Sequence, residues 1–233
     1  MDRAIVFLRT ASDGGFSAAR NKLFDALWCK GTKECLKESV AVMEVGSECG
    51  DGQSMLRLAS CYLRGKGVEK DLDKALLWTR KAAASKTLGV TDRVMSTLKN
   101  IGTPEAYKDL ADLATVLAGR GSGKAALILS RLSYEGNGVP KDLEKSADLA
   151  RVAVFKSVPG ANLMLFDALW AQGPSKQDDE MLDVLSAEEL DGSADALWRK
   201  GLATYCGRGT PEDKVRGREL MEQAASQDKK WER

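Results

Sequence analysis

Few residues in this chain can carry nucleophilic or metal chemistry. Five cysteines, Cys29, Cys35, Cys49, Cys61 and Cys206, are its soft ligands and nucleophiles, and histidine is absent. No two cysteines form a Cys-x-x-Cys pair, the spacing of a zinc site or a redox dithiol. Without an imidazole, Ser-His-Asp and Cys-His schemes are excluded, and the commonest zinc ligand is missing. The cysteines read as buried or half-buried thiols of a reducing compartment. A Cys29–Cys35 bridge across a predicted turn stays open, because the two flank adjacent helices.

Two segments imitate sites. Gly119-Arg120-Gly121-Ser122-Gly123-Lys124 resembles a phosphate loop, but its glycine spacing is wrong. Ala125 also stands where a serine or threonine would bind magnesium, and no strand precedes the segment. It reads as a turn between repeats. Asp178, Asp179, Glu180, Asp183, Glu188, Glu189 and Asp191 form an acidic run. No paired motif frames these carboxylates for acid–base work, so the expectation is a solvated outer face or a patch for a basic partner. No cofactor or metal is expected.

Composition points the same way. The chain has 233 residues, with 35 Lys and Arg against 34 Asp and Glu, a formal net charge of +1. That balance gives no general pull toward nucleic acid. Apolar residues make up 43%, enough for a packed core. No apolar run approaches the roughly 20 residues that span a bilayer, so no membrane insertion is expected. No signal peptide is visible at the N-terminus, which suggests a cytoplasmic protein.

The elements that must position any site are repeats. Tyr62–Ala75 and Ser133–Ser146 align at a shift of 71: Gly65 and Gly67 reappear as Gly136 and Gly138, then as Gly207 and Gly209. LFDALWCKG, ending at Gly31, recurs as LFDALWAQG, ending at Gly173, and Gly102 lies midway. Turn glycines 31, 65, 102, 136, 173 and 207 are thus separated by 34, 37, 34, 37 and 34 residues. The unit is about 35 residues, in three tandem pairs. Residues from Asp2 match those from Asp73, so the chain opens on the second half of a repeat. That half-unit suggests a module cut from a longer protein.

Within a unit, residues 54–64 place apolar side chains on one broad helical face. Gly65-Lys66-Gly67 stops that helix, and Asp71 stands where the N-cap of a second helix, running to about Ser85, belongs. Small residues recur in register: Ala59, Ser130 and Gly201; Ser54, Ala125 and Ala196; Ala82, Ala153 and Ala224. They allow close helix approach. The intervening units are looser, with first helices near 17–30, 89–100 and 160–172 and second helices near 33–47, 104–118 and 176–190. One hairpin cannot bury both faces, whereas a stack of them builds a continuous core.

Ser54, Leu58, Ala59, Tyr62, Gly65, Gly67, Val68, Asp71, Lys74, Ala75, Trp78, Ala82 and Ala83 follow a pattern that resembles the Sel1-like repeat, a helical hairpin similar to the tetratricopeptide repeat. Residues 125–154 depart at Ser133, with tyrosine one place later at Tyr134. Residues 196–225 carry Thr204 at the tyrosine place and Gly217 where alanine is usual. The resemblance implies an all-α, right-handed α/α superhelical solenoid. Here that means about six helix-turn-helix repeats plus an N-terminal half-repeat, in one domain over 1–233. It implies a non-catalytic scaffold that binds a protein or peptide on a concave face lined by first helices. The runner-up is an accessory interaction domain of a larger bacterial enzyme, such as a surface-polysaccharide glycosyltransferase.

The places eight and five before each turn glycine fall between the small core residues. They hold Arg57, Ile128 and Arg199, then Ser60, Arg131 and Leu202. With Tyr134, Trp198 and Tyr205 they are the candidate partner-binding residues, since Arg, Trp and Tyr dominate binding hot spots. On this reading Arg57 and Arg199 are free for a partner, and reversing both charges weakens capture with little loss of stability.

Overall fold

A computed structural model describes residues 2–85, 87–174, 177–186 and 193–228. Among these there are thirteen α-helices and no strand. In order they are α1 (Asp2–Asp13), α2 (Ser17–Lys30), α3 (Lys33–Glu48), α4 (Gly52–Arg64), α5 (Leu72–Ala84), α6 (Thr91–Ile101) and α7 (Pro104–Gly119). Then follow α8 (Gly123–Glu135), α9 (Leu143–Phe155), α10 (Ala161–Ala171), α11 (Asp178–Asp183), α12 (Ala194–Cys206) and α13 (Lys214–Asp228). After the lone α1 they read as six successive pairs, the α/α solenoid pattern. The chain divides into two compact units, Met1–Leu110 and Ala111–Arg233, with the boundary inside α7.

Capping follows the 71-residue translation. Asp51, Ser122 and Ser193 accept from the backbone N–H groups of Ser54, Ala125 and Ala196, starting α4, α8 and α12. Asp71, Asp142 and Asp213 do the same at Lys74, Lys145 and Arg216, starting α5, α9 and α13. Each bond satisfies one of the N–H groups a helix start leaves unpaired. Thr32 and Thr103 cap α3 and α7 through Cys35 and Ala106. The next step of 71 lands on Pro174, which has no hydroxyl to cap with. There the expected second helix over 176–190 is corrected: the described helix is the six residues of α11. Glu188, Glu189 and Asp191 of the acidic run lie outside the described residues.

The six turn glycines all have left-handed φ. The second glycine of the Gly-x-Gly turn has a further job. A Cβ on Gly67 would lie 2.3 Å from the carbonyl oxygen of Leu36, and one on Gly209 would lie 2.4 Å from that of Asp178. The turn therefore docks on the backbone of the preceding second helix, α3 in the first unit and α11 in the second.

The cores are layered between helices. In the first unit α2 is buried on two sides. Leu23 and Leu27 pack with Ile5 and Cys35, while Phe24 packs with Val40, Met43, Leu58 and Cys61. In the second unit α10 is apolar nearly all round, as a helix enclosed on several sides must be; Met164, Leu165, Phe166, Ala168 and Leu169 join Ala147, Ala150, Met181, Leu185 and Ala203. Hairpins cross at the small residues: Ala59 and Ala75 are fully buried, and Ser130 donates to the carbonyl of Ser146 at 2.8 Å. In the last hairpin both partners are glycine. A Cβ on Gly201 would meet the Gly217 oxygen at 2.9 Å, so the departure at Gly217 matches one at Gly201 and brings α12 close to α13.

Ion pairs brace successive second helices. Arg9 with Glu38 joins α1 to α3, Arg80 with Asp109 joins α5 to α7, and Arg151 with Glu180 joins α9 to α11. Each pair is 29 residues apart, and successive pairs are 71 apart. Bidentate arginine geometry holds each carboxylate. The Arg9 and Arg151 hydrogen bonds keep Glu38 and Glu180 below the usual carboxylate range. The acidic run is thus corrected in part: Glu180, and Asp178 described below, are bracing groups and not a free solvated face.

Candidate partner-binding groove

The motif LFDALW, at 23–28 and 165–170, builds the same arrangement in each unit. In α2, Phe24 stacks on Trp28 with centroids 5.1 Å apart; in α10, Phe166 stacks on Trp170 at 5.7 Å. The aspartate between them points to the next first helix. Arg57 of α4 binds Asp25 through two bonds of 2.5 and 3.1 Å. Arg199 of α12 binds Asp167 through two bonds of 2.8 Å. Both pairs span 32 residues, and they are 142 residues apart. These arginines are therefore struts between first helices rather than free cations.

The struts differ in surroundings. Arg57 also lies over the Phe24 ring at 4.8 Å, and its buried Nε has no hydrogen-bond partner. Arg93 of α6 donates to Gln53 nearby, and burial first, then the Arg57 charge, lowers its pKa. Arg199 has no such neighbour among the described residues. It donates to the Asp195 carbonyl at 3.1 Å, and the Asp167 hydrogen bonds raise its pKa.

Around Arg199 the first helices α8, α10 and α12 enclose a groove of about 370 Å³. Arg131, Tyr134 and Glu135 line it from α8, Leu163, Met164 and Asp167 from α10, and Asp195 and Arg199 from α12. Arg131 is exposed and Tyr134 half-buried. The walls offer cations, carboxylates, one phenol and apolar surface together, which suits a peptide with mixed side chains.

Of the nine sequence candidates, Arg131, Tyr134 and Arg199 line this groove. Arg57 and Ser60 belong to the first unit, where Ser60 is half-buried on α4. Trp198 is 50% exposed on α12 but does not line the groove. Tyr205 faces its own hairpin: a Cβ on Gly217 would lie 2.7 Å from the Tyr205 Cβ, and Arg218 sits over its ring. Ile128 and Leu202 are half-buried and outside the lining. Sequence reasoning missed Leu163, Met164, Asp167 and Asp195. The signal for Asp167 was present, since an aspartate recurs inside an otherwise apolar hexapeptide.

The thiols take no part. Cys35 and Cys61 are buried, the other three are exposed, and none is bridged. Burial pushes the Cys61 thiol up to about 12, which leaves it protonated and inert. No cluster of three potential metal ligands occurs among the described residues. No described helix is long and apolar enough to cross a membrane.

The Sel1 repeat model matches three segments, 52–86, 123–153 and 194–229. Each is one of the hairpins with the Gly-x-Gly turn. No curated protein sequence matches the chain significantly. Among solved structures, a Sel1 repeat protein from Oxalobacter formigenes is 20% identical with a TM-score of 0.59, over 90% of this chain and 87% of that one. A second is c5321, a protective antigen of uropathogenic Escherichia coli strains displaying an SLR fold. It is 16% identical with a TM-score of 0.45, over 95% of this chain and 63% of that one. The first likeness supports the fold; neither carries a binding site across.

Proposed function

We propose that this chain, which carries three Sel1 repeats, is a non-catalytic scaffold holding a partner peptide in the groove of its second unit. Sel1 repeats are commonly protein-interaction scaffolds. The observation that supports a peptide here is the groove itself, with Arg131 and Tyr134 on one wall and Asp195 on the other. Arginine and tyrosine supply binding energy well because each combines apolar area with a directed polar group. The Arg199–Asp167 strut keeps the floor in place, so little ordering is left for the moment of binding. Five unbridged thiols fit a reducing interior such as the cytoplasm.

The test is peptide display selected against the full chain, followed by affinity measurements on Arg131→Glu and Asp195→Lys. Both side chains are exposed, so the melting temperature should hold. Affinity should fall about tenfold or more in each. Selected peptides that bind both variants as tightly as the parent would refute the assignment.

A further inference from the structure

A second opening, of about 510 Å³, lies in the first unit where the turn after α4 meets the start of α3. Leu36 and Val68 line it with the backbone of Gly31, Gly65 and Gly67, and Lys33, Lys37 and Lys66 stand around it against the single carboxylate of Glu69. Lys66 rests over the Trp28 ring at 5.0 Å. The three lysines are exposed, and no carboxylate among the described residues pairs with them.

The second unit shows what the same place holds when it is satisfied internally. The 142-residue shift takes Gly67 to Gly209, Leu36 to Asp178, Lys66 to Arg208 and Trp28 to Trp170. The equivalence is structural too. A Cβ on Gly67 would lie 2.3 Å from the Leu36 carbonyl oxygen, as one on Gly209 would lie 2.4 Å from that of Asp178, and a cation covers the tryptophan in both. In the second unit the cation has its acid: Arg208 donates to Asp178 at 2.7 Å and to the carbonyls of Trp170 and Gly173 at 2.8 and 2.7 Å. In the first unit the cation remains and the acid is replaced by Leu36.

We propose that this cleft takes an Asp or Glu side chain from a partner peptide, which supplies in trans the carboxylate that Asp178 supplies within the second unit. The lysines at 33, 37 and 66 surround the incoming carboxylate, and Leu36 and Val68 receive an apolar neighbour on the same peptide. Charge complementarity selects an acidic segment: three cations face one anion in an opening whose inner surface is otherwise apolar. The site is separate from the groove of the second unit, and it stands or falls independently of that reading.

The probe is an N-acetylated, C-amidated peptide of alternating glutamate and leucine, titrated into the full chain with NMR detection of the lysine Nζ groups and backbone amides. A glutamine twin and a leucine peptide with a free C-terminal carboxylate serve as the other arms. The expected result is saturable shifts at Lys33, Lys37, Lys66 and Val68 with the glutamate peptide, weakened about tenfold by the glutamine exchange and by rising salt. Lys37→Gln with Lys66→Gln should weaken binding to the same extent while the helical spectrum is unchanged. Leu36→Asp with Lys66→Arg, which transplants the second unit's acid–cation pair, should abolish it. Equal binding of the glutamine twin, preference for the free C-terminal carboxylate, shifts that map elsewhere or no shifts at all would each overturn the proposal.

Discussion

The two units reuse one frame and finish it differently. In both, a Phe–Trp stack flanks an aspartate that a later arginine grips from 32 residues away. In both, a glycine presses the turn onto the backbone of the preceding second helix. The frame is therefore a property of the repeat. The turn is not: Arg208 is buried in a set of four hydrogen-bonding groups, whereas Lys66 lies exposed over a ring. Repetition conserves what holds hairpins together, and differences between copies mark where one copy is closed and the other open.

The sharpest way to break this comparison is to remove the two cations. Arg208→Ala withdraws the cation from an Asp178 that is only 15% exposed and takes a hydrogen-bond donor from the Gly173 carbonyl, so it should cost about 3 kcal/mol. Lys66→Ala should cost less than about 0.5 kcal/mol, since it removes only an exposed cation–π contact. Chemical denaturation of the two variants decides; equal losses would mean the turns are equivalent after all.

Next come the shared glycines. Gly67→Ala and Gly209→Ala each place a Cβ against a backbone oxygen in a left-handed conformation, and each should destabilise by about 2–3 kcal/mol. Gly65→Ala meets Lys70 more loosely, at 3.2 Å from its Cβ and 3.4 Å from its backbone nitrogen, and should cost about 1 kcal/mol. Equal costs at 65 and 67 would argue against close docking.

A smaller effect separates the struts. The Asp25 side chain is 60% exposed and that of Asp167 36%, so solvent screens the first-unit pair more. Double-mutant cycles with alanine should give a coupling of about 1 kcal/mol for Arg199–Asp167 and about half that for Arg57–Asp25. The reverse order would make burial the wrong explanation. Reversing the charge of both arginines together should lower the melting temperature, contrary to the expectation from sequence.

The smallest effect is in acid. Glu38 and Glu180 titrate below their unfolded value in the native chain, so their contribution is complete above that value and disappears as pH falls through the lowered one. Melting temperature should hold near neutrality and begin to fall below about pH 4.5. Glu38→Gln and Glu180→Gln should flatten that fall by similar amounts, and an unchanged acid limb would remove these braces from the account.

Much of the frame was legible in the sequence because it depends on local rules. Turn glycines, Asp71-type caps and small crossing residues each act within a few positions, so a fixed spacing reveals them. The six-residue α11 was not foreseen: a second helix over 176–190 was expected, although Pro174 falls where Thr32 and Thr103 cap α3 and α7. The fate of Arg57 and Arg199 was not legible, because a solvated arginine and a strut look alike until the aspartate opposite is known. The Arg208 contacts were hidden for the same reason: their partners come from α10, α11 and the turn between them, and no period links them. Of the groove, the wall contributed by α8 was visible through Arg131 and Tyr134. The floor from α10 was not, because its residues read as ordinary core.

An experimental structure superposing residues 23–28, 57 and 66 on residues 165–170, 199 and 208 is the most direct measurement. The expected result is coincident backbones, coincident guanidinium–aspartate pairs at 57 and 199, and side chains at 66 and 208 that part ways, one in solvent and one against Asp178. Backbones that fail to overlay, or a Lys66 as enclosed as Arg208, would contradict it.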